Sequence, residues 1–237
     1  MGRANADELL TKPRVAILIS GRGSNMMALV EAARHPSFPA EIALVISNQA
    51  NAIGLGRAQA AGIATSVVEH APFGSDRERF EDAMGEVIGR STTNLICLAG
   101  FMRLLTPGFV KRWEGRMLNI HPALLPAFKG LDTHRRALCA GVKIHGATAH
   151  FVSAEMDSGA IIAQGATAVR GNDTEQTLAA RVLEIEHRIY PLALGLVAGG
   201  RVRVVDGRCV IDGEVENDEM IIAPKTGRRT TDDGGRK

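Results

Sequence analysis

The sequence predicts a doubly wound α/β domain, with a Rossmann-like, mostly parallel sheet that carries an antiparallel extension. Short, β-branched apolar runs alternate with helix-spaced segments through the first half of the chain, which is the rhythm of a buried parallel sheet. The first run, Val15–Ile19, breaks at a glycine turn, Ser20-Gly21-Arg22-Gly23-Ser24-Asn25. Met26, Met27, Leu29, Val30 and Ala33 then follow at helical spacing. Beyond His121 the alternation stops, and two β-like runs flank a polar loop.

Lys12-Pro13 leads into Val15–Ile19 as the first strand. Ile42–Ile46 reads as the second strand, Ala52–Ala61 as a helix closed by Gly62, and Thr65–Val68 as a short third strand. Ser75 and Asp76 offer N-caps to an amphipathic helix that runs to about Ile88. Leu95–Leu98 is a continuous apolar fourth strand, Thr106-Pro107-Gly108 a turn, and Met117–Ile120 the fifth strand. Ala147–Val152 and Ala160–Ala168 pair as the antiparallel extension. Thr174–Val197 reads as one long helix that Pro191 should kink or split. Val202–Val205 and Cys209–Ile211 join through Asp206-Gly207 as a terminal hairpin. These elements make a single domain over residues 14–212, with an N-terminal extension over residues 1–13. The composition of the polar tail Lys225–Lys237 predicts disorder.

A chain of 237 residues is long enough to bury a sizeable core in one such domain. With 28 Lys+Arg against 26 Asp+Glu, its formal charge of +2 lacks the basic footprint expected of a nucleic-acid or anionic-membrane partner. Aromatic residues make up 4% of the chain, too few for base-stacking platforms. Cys97, Cys139 and Cys209 are too scattered for a disulfide framework or a zinc ribbon, which suits a reducing cytoplasm. No signal-peptide stretch opens the chain, and no run approaches the ~18 apolar residues of a membrane span. Together these features read as a cytoplasmic protein.

Gly21 and Gly23 expose backbone N–H groups where a helix begins, and the helix dipole favours an anion there. Phosphate binding is one use of such a turn; a tight connection with no ligand is the other. A dinucleotide fingerprint would need a small residue where Met26 stands and an acid where the second strand ends in Ser47-Asn48. No Gly-Lys-Ser/Thr follows Gly21 at P-loop spacing. The turn therefore suits a phosphate monoester better than NAD or ATP.

Asn119 and His121 are two residues apart at the carboxyl end of the fifth strand, so both face one side, where open α/β sheets bind ligands. An Asn and a His converging on one point suit a carbonyl oxygen that becomes an oxyanion, and satisfied structural groups are the alternative. His145 and His150 fall on opposite sides of a continuous strand, and no cysteine lies near a His at ligand spacing, so no metal is expected. No Gly-x-Ser-x-Gly elbow supports a serine nucleophile.

The segments VAILISGRGSNMMAL, ISNQANAIGLGRAQAAGI, LICLAGFMRLLTPGFV, RMLNIHPALLPAFKGLDTHRRAL, KIHGATAHFVSAEMDSGAIIAQ and RVLEIEHRIYPLAL span about Val15 to Leu194. In them the chain resembles the phosphoribosylglycinamide formyltransferases, members of the folate formyltransferase superfamily. The resemblance implies the formyltransferase fold and transfer of a formyl group in de novo purine (IMP) biosynthesis. The donor would be 10-formyltetrahydrofolate and the acceptor the glycine amine of glycinamide ribonucleotide. It carries the catalytic Asn, His and Asp onto Asn119, His121 and Asp157. The sugar-phosphate loop falls on Gly23, Ser24 and Asn25, and further ribonucleotide contacts on Leu183, Glu184, Ile185 and Glu186. The folate site falls on Arg77, on Met102, Arg103, Leu104 and Leu105, on Asn119, and on Ser153, Ala154, Glu155, Met156 and Asp157. His150 falls beside the catalytic centre as a support. By composition alone, Met102, Leu104 and Leu105 would be core, and Glu184, Glu186, Arg77 and Arg103 surface charges.

The implied chemistry needs no protein nucleophile, because the amine attacks the formyl carbon directly. Asn119 and a charged His121 would hold the tetrahedral oxyanion, with Asp157 favouring the imidazolium and assisting proton transfer. Two relatives share this trio. Formyltetrahydrofolate hydrolase carries an added N-terminal regulatory domain, and the stretch before Arg14 is too short for one. Methionyl-tRNA formyltransferase adds a C-terminal barrel, and the stretch after Leu194 is too short for that. A non-catalytic folate- or phosphate-binding module on the same fold is the alternative from another class.

Overall fold

The computed structural model describes residues 12–213 and Ala223. The expected tail Lys225–Lys237 and most of the N-terminal extension lie outside the described residues. In chain order the elements are β1 (Arg14–Ile19), α1 (Ser24–Ala33), β2 (Glu41–Ser47), α2 (Ile53–Ala60), β3 (Thr65–Val67), α3 (Arg77–Arg90) and β4 (Leu95–Leu98). They continue with α4 (Pro107–Arg112), β5 (Met117–His121), α5 (Thr133–Cys139), β6 (Ile144–Phe151), β7 (Ile161–Ala168), α6 (Glu175–Ala198), β8 (Val202–Val205) and β9 (Arg208–Ile211). A short 3₁₀ turn, Ala71–Phe73, precedes α3.

One sheet runs β3-β2-β1-β4-β5-β6-β7. Its strands are parallel from β3 to β5, and β6 and β7 add the antiparallel extension. The chain winds outward from β1 to β3 and returns to β4 on the other side of β1. That reversal opens a crevice beyond the carboxyl ends of β1 and β4, where this class of sheet holds ligands. β8 and β9 form a separate hairpin whose turn residues, Asp206 and Gly207, both have positive φ, as an Asp-Gly turn requires.

The strand period sorts side chains onto two cores. Val15, Ile17, Ile19, Cys97, Leu118 and Ile120 pack under α1 and α6. Ala16, Leu18, Ile96, Leu98 and Met117 pack under α3 and α4. Burial on both faces explains why the parallel strands read as unbroken apolar runs.

Three local expectations needed correction. Pro191 does not split α6, which runs unbroken for 24 residues. Its buried face, from Leu178 to Leu196, outweighs the one backbone bond that a proline removes. The segment after β4 is more than a turn, because Thr106 accepts from the Phe109 N–H and caps α4 with Pro107 in its first turn. β6 begins at Ile144 rather than Ala147, and α5 had no counterpart in the sequence pattern. Helices of six and seven residues are too short to show a period.

Tyr190 of α6 is fully buried, and its hydroxyl lies 2.9 Å from the Leu98 carbonyl and 3.2 Å from the Leu118 carbonyl. It thus links β4 and β5 where they approach the crevice. Tyr190→Phe keeps the ring and leaves both carbonyls without that donor. Equilibrium urea unfolding should show a loss of about 1–2 kcal/mol.

Candidate active site

The antiparallel register of β5 on β6 sets Asn119 opposite His150 and His121 opposite Thr148. Paired residues share a face, so these four side chains project together on the α3/α4 side. His150 is buried, and its Nδ1–H donates to the carbonyl of Phe151 at 2.8 Å. Its Nε2 is then the acceptor, and Asn119 Nδ2 donates to it at 3.2 Å. Burial pushes the His150 pKa down, which suits this neutral, accepting role, although the Asp157 charge opposes the shift. His150 therefore fixes which way the Asn119 amide points.

His121 Nε2 donates to the Phe128 carbonyl at 3.0 Å, so Nδ1 is the nitrogen turned to Asp157, with Oδ2 at 3.4 Å. Asp157 has φ +51, and its Oδ2 accepts from the Gly130 N–H at 2.8 Å. Its Oδ1 lies 3.8 Å from His150 Nε2, a contact between acceptors rather than a hydrogen bond. The structure thus brings Asn119, His121, Asp157 and His150 into one cluster. Behind Asp157, Gly159 presses on the end of β6, where a Cβ would lie 1.8 Å from the Phe151 carbonyl oxygen. Only glycine fits that approach.

The loop between β5 and α5 is tied down from below. The fully buried Thr148 hydroxyl donates to the Ala123 carbonyl at 2.7 Å and accepts from the Leu125 N–H at 3.0 Å. Gln164 of β7 donates to the Leu125 carbonyl at 2.9 Å. The Phe128 ring meets His145 edge-on at 5.8 Å, and His145 meets His134 edge-on at 5.4 Å. None of Phe128, Gly130, Thr148 and Gln164 was assigned a role from the sequence. Thr148 alone left a signal, since it sits two residues before His150 and so shares its face.

At the other half of the crevice, Gly23 adopts φ +69 and starts α1 with no side-chain cap, so the first N–H groups of the helix stay open. Gly54 of α2 packs on it, and a Cβ on Gly23 would lie 3.0 Å from the Gly54 Cα. Asn25 Nδ2 donates to Glu186 Oε2 at 2.5 Å, and Asn25 Oδ1 is buried with no partner. Burial raises the Glu186 pKa, against the pull of the Asn25 hydrogen bond. Ser24 sits at the first turn of α1, and Leu183 lies half-buried one turn before Glu186. Glu184 is exposed, and Ile185 turns to β7, where its Cγ2 covers Gly165.

Met102 and Leu104 are 68% and 64% exposed, while Arg103 and Leu105 alternate with them half-buried. Met102 and Leu104 are therefore surface residues, not the core that composition alone would make them. Ala154, Glu155 and Met156 are exposed on the loop before Asp157, and Glu155 pairs with Lys129 at 3.2 Å. Ser153 donates to the Glu155 carbonyl. Arg77 lies exposed in the first turn of α3. A hollow of about 190 Å³ runs past Asp157 between Leu125, Lys129, Glu155 and Ile161. A larger one, about 400 Å³, lies at the opposite end of the sheet, and its charged groups are all paired. Among the described residues no cluster of His, Cys, Asp and Glu could hold a metal, and no helix is long and apolar enough to cross a membrane.

A doubly wound sheet with an Asn, His and Asp gathered where its parallel and antiparallel parts meet defines a class, and residues 13–194 match the formyl transferase family. The chain belongs to that family. It is 42% identical to the phosphoribosylglycinamide formyltransferase of Haemophilus influenzae, over 85% of this chain and 94% of that protein. It is 52% identical to the trifunctional purine biosynthetic protein adenosine-3 of Gallus gallus over 81% of this chain. The match spans only 19% of that longer relative. Among solved structures, glycinamide ribonucleotide transformylase 1 from Symbiobacterium toebii superposes with a TM-score of 0.82 at 43% identity, covering 84% of this chain and 94% of that one. A formyltetrahydrofolate deformylase from Pseudomonas syringae is more distant in sequence, at 27% identity with a TM-score of 0.78, covering 85% of this chain and 66% of that one.

His145 makes the stability of the fold sensitive to acid. Burial lowers its pKa from 6.5 to about 4, helped by the neighbouring His134. His134, His150 and His187 are also lowered by burial. On acidification the unfolded chain therefore takes up protons first, so stability is full above about pH 6.5 and falls toward pH 4. Urea midpoints across that window should decline, and His145→Gln should flatten the lower part of the decline.

Proposed function

We propose that this chain transfers the formyl group of 10-formyltetrahydrofolate to the glycine amine of glycinamide ribonucleotide, releasing N-formylglycinamide ribonucleotide and tetrahydrofolate in purine biosynthesis. The observation that carries this reading is the Asn119, His121 and Asp157 cluster, with each side chain held by a named partner. The near-full-length match to a protein named for this activity supports it.

The amine nitrogen attacks the formyl carbon, a C–N bond forms, and the carbonyl pair moves to oxygen. Asn119, its second N–H free of His150, donates to that oxygen. Both ring nitrogens of His121 have protein partners, and the looser contact is the one at Nδ1. We assign Nδ1 as the nitrogen that shares its proton with the oxyanion. Asp157 accepts the proton lost by the attacking amine and returns it, through His121 or water, to the departing folate nitrogen as its C–N bond breaks. Charge is conserved and the protein ends unchanged. The Gly23–Asn25 turn anchors the phosphate, and Asn25 with Glu186 meets the sugar. Met102–Leu105 and Ser153–Asp157 border the folate, and Arg77 attracts its carboxylate tail. Holding both substrates together supplies much of the remaining rate. Such a reaction belongs to a cytoplasmic enzyme with no resident metal.

The test is a spectroscopic assay of the purified full chain with a 10-formylfolate donor, with and without glycinamide ribonucleotide. Turnover should require the ribonucleotide. His121→Ala should lower kcat/KM by about a hundredfold or more, and Asp157→Asn should lower kcat and alter the pH–rate profile. Donor consumption without the ribonucleotide would mark a deformylase, and donor binding without turnover a binding module; either would overturn the reading.

A further inference from the structure

Segment 102–105 belongs to no sheet or helix, and the backbone N–H groups of Arg103, Leu104 and Leu105 have no partner among the described residues. It is nevertheless held at both ends. At the start, Ser20 closes two bonds with the chain leaving β4: its N–H donates to the Gly100 carbonyl at 3.1 Å, and its Oγ accepts from the Met102 N–H at 2.8 Å. The Ser20 hydroxyl then donates to Asn48 Oδ1 at 2.6 Å, and Asn48 Nδ2 lies 3.1 Å from His70 Nδ1. Ser20 and Asn48 are both buried. At the far end, the Thr106 N–H donates to Glu81 Oε1 at 2.6 Å, and the Thr106 hydroxyl donates to Glu81 Oε2. Glu81 is 3% exposed, one turn along α3 from Arg77.

Polar groups are seldom buried without structural return, and here both sets of bonds fall on one short segment. We propose that Ser20 and Glu81 are positioning residues for the folate donor. They hold the two ends of 102–105 so that its open backbone edge presents a fixed row of hydrogen-bonding groups to a flat heterocycle. Asn48 sits where a dinucleotide-binding fold keeps its ribose-binding acid, and here that position braces Ser20 instead. The same serine begins the glycine turn, but its hydroxyl bonds only to Asn48 and Met102, on the donor side. Neither side chain touches the turn's open N–H groups or the Asn25–Glu186 pair.

This inference rests on the formyl-transfer reading, and its test separates the two. Ribonucleotide-dependent turnover by the unsubstituted chain must come first; its absence would count against the reading itself. Given turnover, Ser20→Ala should raise KM for 10-formyltetrahydrofolate about 3- to 10-fold, the worth of one hydrogen bond, with KM for the ribonucleotide unchanged. Calorimetric titration with tetrahydrofolate should show a matching weakening, independent of turnover. Glu81→Gln should do the same from the other end, and it decides the matter if Ser20→Ala does not fold. A fall in melting temperature with both KM values and the tetrahydrofolate affinity unchanged would overturn the proposal, as would a rise confined to the ribonucleotide KM.

Discussion

The register between β5 and β6 is the constraint on which the site depends. Side chains along a strand alternate, so a slip of one residue would turn Asn119 and His121 toward α6 and send Leu118 and Ile120 into the crevice. That exchange would bury two polar groups in an apolar core and expose two large hydrophobics. The hydrophobic pattern which folds the sheet therefore also aims the chemistry. Antiparallel pairing matters here too, because it brings His150 directly opposite Asn119, close enough to orient its amide.

Around that register, backbone groups do much of the holding. The Phe128 carbonyl, the Gly130 N–H and the Phe151 carbonyl each settle the orientation of one functional side chain. The loop that supplies the first two is anchored by Thr148 and Gln164 from the antiparallel strands. The extension beyond β5 is thus the platform on which the β5–α5 loop is built. The parallel half of the sheet supplies the glycine turn, and the two halves meet at β4 and β5, where Tyr190 links the neighbouring carbonyls.

Most of this architecture could be read from residues. The apolar runs, the glycine turn, the Asn119–His121 spacing and the Asp-Gly hairpin are local patterns with local causes. What escaped notice depends on distance in sequence. Ser20 meets Met102, Glu81 meets Thr106, and Asn25 meets Glu186 across 161 positions, and no period or motif announces such pairs. At Pro191 the split that a local rule allows does not occur, because burial of the whole helix around it outweighs one lost backbone bond. Ile185, adjacent to Glu186, faces another way, since neighbours on a helix point apart, and its Cγ2 covers Gly165 of β7.

The bond from His121 Nε2 to the Phe128 carbonyl means that the tautomer of the central histidine is written in main chain rather than in side chain. Phe128 holds φ +55, a conformation that glycine or asparagine adopts readily and a β-branched residue resists. Replacing its ring by a smaller side chain would leave the carbonyl in place. A survey by alanine substitution would therefore pass over position 128, while valine or proline there would reach the imidazole seven residues away. The backbone torsion at this position, more than the ring it carries, is what reaches the imidazole.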